Sequence, residues 1–227
     1  GALAGVGEAL ALEGRATMAI QGADGAWEIF AFAHGDLIAR DTYRLSRLLR
    51  GLGGEEELAA RTVPAGATVV LLDRAVAPLA GGLASIGATL DLRVGPADRS
   101  ATEATYVALA ATATDKAFKP YAPVRPRARR TPAGIEISFL RRGRLDADAW
   151  EPIEIPLGED TESYTVEIAR PSGLARKLAS SSPNILYPAT DIVADFGVQP
   201  ATLDLTIRQI SASVGPGFPL VAHVPVQ

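Results

Sequence analysis

Leu203-Asp204-Leu205-Thr206-Ile207-Arg208 is the stretch that decides the fold class. Its apolar residues fall on 203, 205 and 207, and its polar residues on 204, 206 and 208. A period of two turns one set towards a core and the other towards water, which is the signature of a half-buried strand. The pattern returns at Ile135, Ile137 and Phe139 against Glu136 and Ser138, and at Tyr164, Val166 and Ile168 against Thr165 and Glu167. Leu220, Ala222 and Val224 supply a last strand, and Ile185 to Tyr187 a short one. Strands at this density, joined by Gly, Pro, Asp and Ser, predict a two-sheet sandwich over residues 121–227.

Working back from there, residues 119–132 hold Pro120, Pro123, Pro126 and Pro132 among Arg125, Arg127, Arg129 and Arg130. Proline removes ladder donors and stiffens the chain, so this stretch is predicted as an extended linker merging into the first, edge strand of the sandwich. Residues 1–118 are then predicted as a separate β-rich domain. Thr17 to Ile20, the turn Gly22-Ala23-Asp24-Gly25 and the aromatic run Trp27 to Ala33 read as a hairpin. Asp41 to Leu49 follows as a strand with Tyr43 and Leu45 on one face, ended by Gly51, Gly53 and Gly54. Glu55 to Arg61 has room for one or two helical turns, and Ala67 to Leu72 is expected to be a buried strand. Gly87 to Gly95 alternates, so Ala88, Leu90, Leu92 and Val94 are expected in a core, with a weak strand at Tyr106 to Ala110. Gly1 to Leu12 is small and apolar without a basic start, which predicts a strand or linker and not a signal peptide. An opening Gly1-Ala2 without Met is what an excised piece of a longer chain would show. The fold class expected is all-β, in two small domains.

Composition narrows function. The chain has 227 residues, 48% hydrophobic, enough for real cores, and a net charge of -4 that gives no basic excess for a phosphate backbone. No specific nucleic acid is expected as a partner. Cysteine is absent, which excludes disulfides and thiolate metal sites. No apolar run approaches the ~20 residues of a membrane span, so no membrane insertion is expected.

Two resemblances add to this reading. Tyr121-Ala122-Pro123-Val124-Arg125-Pro126 is similar to the proline-rich first strand of fibronectin type III domains. The alternation from Leu203 to Ile207, breaking into Ser211-Ala212-Ser213-Val214-Gly215-Pro216-Gly217, resembles their penultimate strand and turn; Phe139 stands where a core Trp is typical. The segment Asp41-Thr42-Tyr43-Arg44-Leu45-Ser46-Arg47-Leu48-Leu49-Arg50-Gly51 resembles a recurrent segment of phage tail-tip and gene-transfer-agent proteins. So do Arg141-Arg142-Gly143-Arg144-Leu145-Asp146-Ala147-Asp148-Ala149-Trp150, Pro156 to Glu159, and Ser163 to Ile168. The family is the large multidomain baseplate protein sometimes called megatron, which carries a glycoside-hydrolase-like barrel upstream. This chain is too short and too poor in helices to hold that barrel. The resemblance marks Tyr43, Leu45, Leu48, Leu49, Arg50, Gly51, Arg141, Arg142, Asp146, Asp148, Trp150 and Tyr164 as structural residues of the family pattern.

The chemistry-bearing residues point away from catalysis. His34, beside the Gly35-Asp36 turn, and His223, facing away from Leu220 and Val224, read as surface histidines and not as parts of a triad or zinc site. Asp146 and Asp148 lack the further spaced oxygens of a calcium loop. Glu159, Asp160 and Glu162 form an acidic turn with no apolar pocket to raise a pKa, so solubility and edge protection are expected of them. Arg125 to Arg130 and Arg141 to Arg144 are the basic clusters that could contact DNA passing through a tail, but they lack interleaved aromatics, and for Arg141 and Arg142 local pairing with Asp146 and Asp148 is an equal expectation. The loop Gly51-Leu52-Gly53-Gly54 lacks the Lys-Ser/Thr of a phosphate loop. Trp150 is expected to pack on the sandwich, with a cation–π contact to Arg141 or Arg142.

The expected function is architectural: part of a tail tip or baseplate in a phage-like particle, with no enzyme activity, cofactor or metal. The partners expected are other tail-tip proteins, the upstream domains of the same polypeptide, further copies of the chain and a host-surface glycan. A carbohydrate-binding accessory module of a glycoside hydrolase is the competing reading; the chain's 6% aromatic content, with Trp27 and Trp150 far apart, weighs against an aromatic sugar platform.

Overall fold

The computed structural model describes residues 3, 5–77, 79, 81–145 and 154–227. The fold is all-β, with several antiparallel sheets and, among the described residues, three short α-helices and two 3-10 turns. Two compact units are present, Gly1–Leu79 and Ala80–Gln227.

The first unit is one antiparallel sheet in the order β3-β2-β1-β4, made of β1 (Thr17–Gln21), β2 (Trp27–Ala39), β3 (Thr42–Leu52) and β4 (Val69–Leu71). The β1–β2 hairpin forms as the sequence predicts. Asp24 accepts the Ala26 N–H at 3.1 Å, and Gly25, at φ 80°, supplies the left-handed step the turn needs. The register Met18↔Phe30 and Ile20↔Glu28 puts these four residues on one face. Met18, Phe30 and Phe32 bury there with Ile20 and Leu45. On the other face a short helix, α1 (Glu8–Leu12), sets Ala11 against Ala31 and Ala33, flanked by Leu49 and Leu52. Alanines on both sides let helix and sheet approach closely. Helix α2 (Glu56–Ala59) follows β3 and buries Leu58.

The second unit holds a ribbon of β5 (Thr89–Val94) and β6 (Val107–Thr112), then a sandwich. Its strands are β7 (Val124–Thr131), β8 (Gly134–Leu140), β9 (Tyr164–Arg170), β10 (Gly173–Ser180), β11 (Asn184–Pro188), β12 (Thr202–Ser211), β13 (Gly215–Pro216) and β14 (Leu220–Pro225), with helix α3 (Ala189–Phe196) between β11 and β12. One sheet runs β11-β8-β7 and the other β10-β9-β12-β14, with β13 extending β12. The first, second and fifth strands thus face the third, fourth, sixth and last, which is the fibronectin type III-like arrangement. Ile135, Ile137, Phe139, Tyr164, Val166, Ile168, Leu203, Leu205 and Ile207 are all 3% exposed or less, so every inward position predicted on these strands is core.

Four local expectations are corrected. Gly1 to Leu12 contains a helix, α1, because Ala11 has a sheet of alanines to pack on. Strand β2 runs through Gly35-Asp36 to Ala39, and the turn is at Arg40-Asp41, where Asp41 takes φ 54°. The apolar run around β4 is an exposed edge, with Val69, Val70 and Leu71 between 36% and 43% exposed. The alternation of β5 is real, but its apolar side is only partly covered: Leu90 and Leu92 are half-buried, while Val94, Val107 and Leu109 are over half exposed. Residues 124–131 form β7, the edge strand into which the proline-rich stretch was expected to merge. Pro126 fits because the ladder slips between Val124 and Arg127, where no donor is required. The chain's end covers the open edge of β7: Arg130 N–H donates to the Gln227 carbonyl at 2.7 Å, and Gln227 N–H to that of Ala128 at 3.0 Å.

Candidate functional site

Two of the residues marked on β3, Arg50 and Gly51, converge on a buried carboxylate that sequence reading missed. Glu28 is 4% exposed on the core face of β2. Its oxygens accept Arg50 Nη2–H at 2.6 Å, Arg50 Nε–H at 2.9 Å and the Gly51 amide at 3.1 Å. This bidentate pair holds the Arg50 guanidinium even more firmly protonated than usual, through the hydrogen bonds first and the charge second. Arg50 also donates to the Arg61 carbonyl at 3.3 Å, and Arg61 pairs with Asp24. The network ties β2, β3, the first turn and the segment after α2. Gly51 takes φ 68°, and a Cβ there would lie 2.8 Å from Glu56 Cα. The available signal was periodicity: Phe30 and Phe32 place Glu28 on their own inward face.

In the sandwich, Tyr187 buries its ring and donates its hydroxyl to Asp195 at 2.7 Å. Arg176 of β10 grips the same carboxylate at 2.6 and 3.2 Å and Asp191 at 3.0 Å. These bonds, Arg176 first and Tyr187 second, hold Asp195 below the usual carboxylate range, while burial and then Asp195 push the Tyr187 phenol up. They fasten α3 to both sheets. Tyr164, fully buried, sets its ring edge-on to Phe139 at 5.0 Å and donates to Glu162 at 2.7 Å. Arg141 binds the carbonyls of Ile155 and Pro156 at 2.8 and 2.9 Å. Arg142 stacks over Tyr121 with 5.1 Å to the ring centroid, a cation–π contact. Asp146, Asp148 and Trp150 lie outside the described residues.

Glu159 corrects the picture of a solvated acidic turn. Its side chain is 7% exposed and accepts Arg144 Nη2–H at 2.8 Å. The pair lines a cleft of about 370 Å³ together with Phe118, Asp160, Ser211 and Ser213. In the first unit an apolar groove of about 490 Å³ lies over Ile20, Phe30 and Leu48 beneath Ala59 to Val63. Tyr43 and Leu45 are half-buried and Leu48 is 46% exposed beside that groove.

Both histidines are exposed; His223 Nδ1 lies 2.6 Å from Asp204 across the β12–β14 ladder. Among the described residues no three His, Asp or Glu side chains group to hold a metal, and no helix is long and apolar enough to cross a membrane.

Comparison with known proteins gives three findings. The model of a family described as "Rcc01698-like, C-terminal" matches residues 1–70. No curated protein matches the chain. Among solved structures, rat CD45 extracellular region, domains d3-d4, superposes with a TM-score of 0.33 at 8% identity, over 84% of this chain and 92% of that one. The likeness to the Rcc01698-like C-terminal family therefore covers residues 1–70, which hold β1 to β3 and reach into β4.

Proposed function

We propose that the chain is a structural segment of a phage-like tail tip or baseplate, of the gene-transfer-agent kind, and that it works through its surfaces and not through catalysis. The observation that carries this is the overlap of two likenesses. The family match over residues 1–70 contains the whole Asp41–Gly51 segment that resembles tail-tip proteins, and the structure gives that segment an architectural task in the Glu28–Arg50–Gly51 clamp. The exposed apolar residues Val94, Val107 and Leu109 of the β5–β6 ribbon agree with a role in assembly. An isolated two-stranded ribbon is marginal in water, and neighbouring tail proteins, upstream domains or further copies would cover it in a particle. The polar side chains brought together in the two units are tied to arginines in clamps that fix loops and helices. Antibodies raised against the purified chain and coupled to gold test the proposal on particles from a producing culture. Gold at the tail end supports it; particles without gold, with the antigen remaining in the soluble cell extract, overturn it.

A further inference from the structure

We propose that the cleft between residues 144–145 and 158–160, after β8 and before β9, and the β12–β13 turn is a binding site for a neutral pyranose sugar. These connections lie at one end of the sandwich, where loops of this architecture commonly carry recognition. The volume, about 370 Å³, falls within the ~300–1,000 Å³ of small-ligand sites.

The chemistry of the lining selects the ligand. Arg144 would favour an anion, but Glu159 neutralises it at 2.8 Å and Asp160, exposed at the rim, adds a negative charge. A phosphate or carboxylate would therefore meet no net positive field. A metal ion would find only two carboxylates, with no third ligand grouped with them among the described residues. What remains is a surface that both donates, through the guanidinium and the Ser213 hydroxyl, and accepts, through Glu159 and Asp160. Vicinal hydroxyls do both at once. Beside these polar groups stand Phe118, half-buried, and Leu83 and Leu145, 49% and 53% exposed. A pyranose ring has the same division, with hydroxyls round its edge and C–H groups on its faces. The site is also held in place before any ligand arrives. Ser211 Oγ accepts the Ser213 and Val214 amides at 3.2 and 3.4 Å, and Arg144 binds the Gly158 carbonyl at 3.2 Å. Pre-positioned groups lose little entropy on binding.

The test is a titration of the full ¹⁵N-labelled chain with galactose, glucose and N-acetylglucosamine in turn, followed by amide chemical shifts. Saturable shifts on Gly158 to Asp160 and Ser211 to Val214 are expected with at least one sugar, at a Kd of about 1–10 mM. Ser213 is exposed, so Ser213→Tyr fills the cleft without touching the core and should weaken binding at least ~10-fold. Glu159→Gln should weaken it as well, provided its spectrum stays folded. No saturable shift with any of the three sugars, shifts that map elsewhere, or Ser213→Tyr binding as tightly as the parent each overturns the proposal. Sodium sulfate giving the same shifts more strongly than any sugar also overturns it. The inference does not rest on the tail-tip reading, and gold labelling and sugar titration can fail independently.

Discussion

Cutting the Glu28–Arg50 pair should expose its unequal halves. The Glu28 side chain is 5% exposed and that of Arg50 30%. Arg50→Met leaves the more deeply buried charge without a partner, and breaking a buried pair in that way costs ~3–5 kcal/mol. Glu28→Gln leaves a guanidinium that still reaches water and keeps one acceptor oxygen for the Gly51 amide, so the cost should be nearer ~2 kcal/mol. The double variant Glu28→Gln/Arg50→Met strands no charge. It should cost less than the two singles together, with a coupling of at least ~1.5 kcal/mol. Hydrogen exchange by mass spectrometry on the full chain reads this locally. Opening free energies of peptides from Thr17–Gln21 and Trp27–Ala39 should fall in the order stated, while Gly134–Leu140 and Tyr164–Arg170, in the other unit's core, should not change. Equal costs for the two singles, or strict additivity, would refute the account of Glu28 as a buried anion held by Arg50.

Three further outcomes follow from the geometry. Gly134→Ala at the β7–β8 turn puts a Cβ onto the Tyr187 carbonyl at φ 144°, and should lower stability by ~3–5 kcal/mol in urea unfolding, against ~2–5 kcal/mol for the cavity left by Ile137→Ala. Asp195, Glu136 and Glu167 all have lowered folded pKa values, caused first by Arg176, Arg129 and Lys177 respectively. Their stabilisation is complete above the unfolded values of ~4 and is lost as pH falls through the folded ones, so the urea midpoint should be flat near neutrality and drop only in acid below about pH 4. Limited trypsin should cut after the exposed loop residues Arg74 and Arg99 before it cuts after Arg127, Arg129 or Arg130, which lie in strand β7; early cleavage within β7 would refute its place as an ordered strand.

The sequence by itself determined the sandwich. Strands with one wet and one dry face must alternate, so Ile135 to Phe139, Tyr164 to Ile168 and Leu203 to Ile207 could be assigned to a core before any coordinates. The β1–β2 hairpin was legible for a similar local reason, because Asp24 and Gly25 satisfy and shape their own turn. Periodicity says which side of a strand is apolar, but not whether another layer lies against it. That is why β4 and the apolar side of β5 were expected in cores, whereas β4 and Val94 stand exposed. Contacts between residues far apart in the chain decided the rest. The arginine that neutralises Glu28 lies 22 positions away and the one that neutralises Glu159 lies 15 away, and Pro126 is tolerated in β7 because of a slipped register with β8. Only the folded chain brings those partners within a hydrogen bond, and that proximity turns carboxylates that looked solvated into clamps and the lining of a cleft.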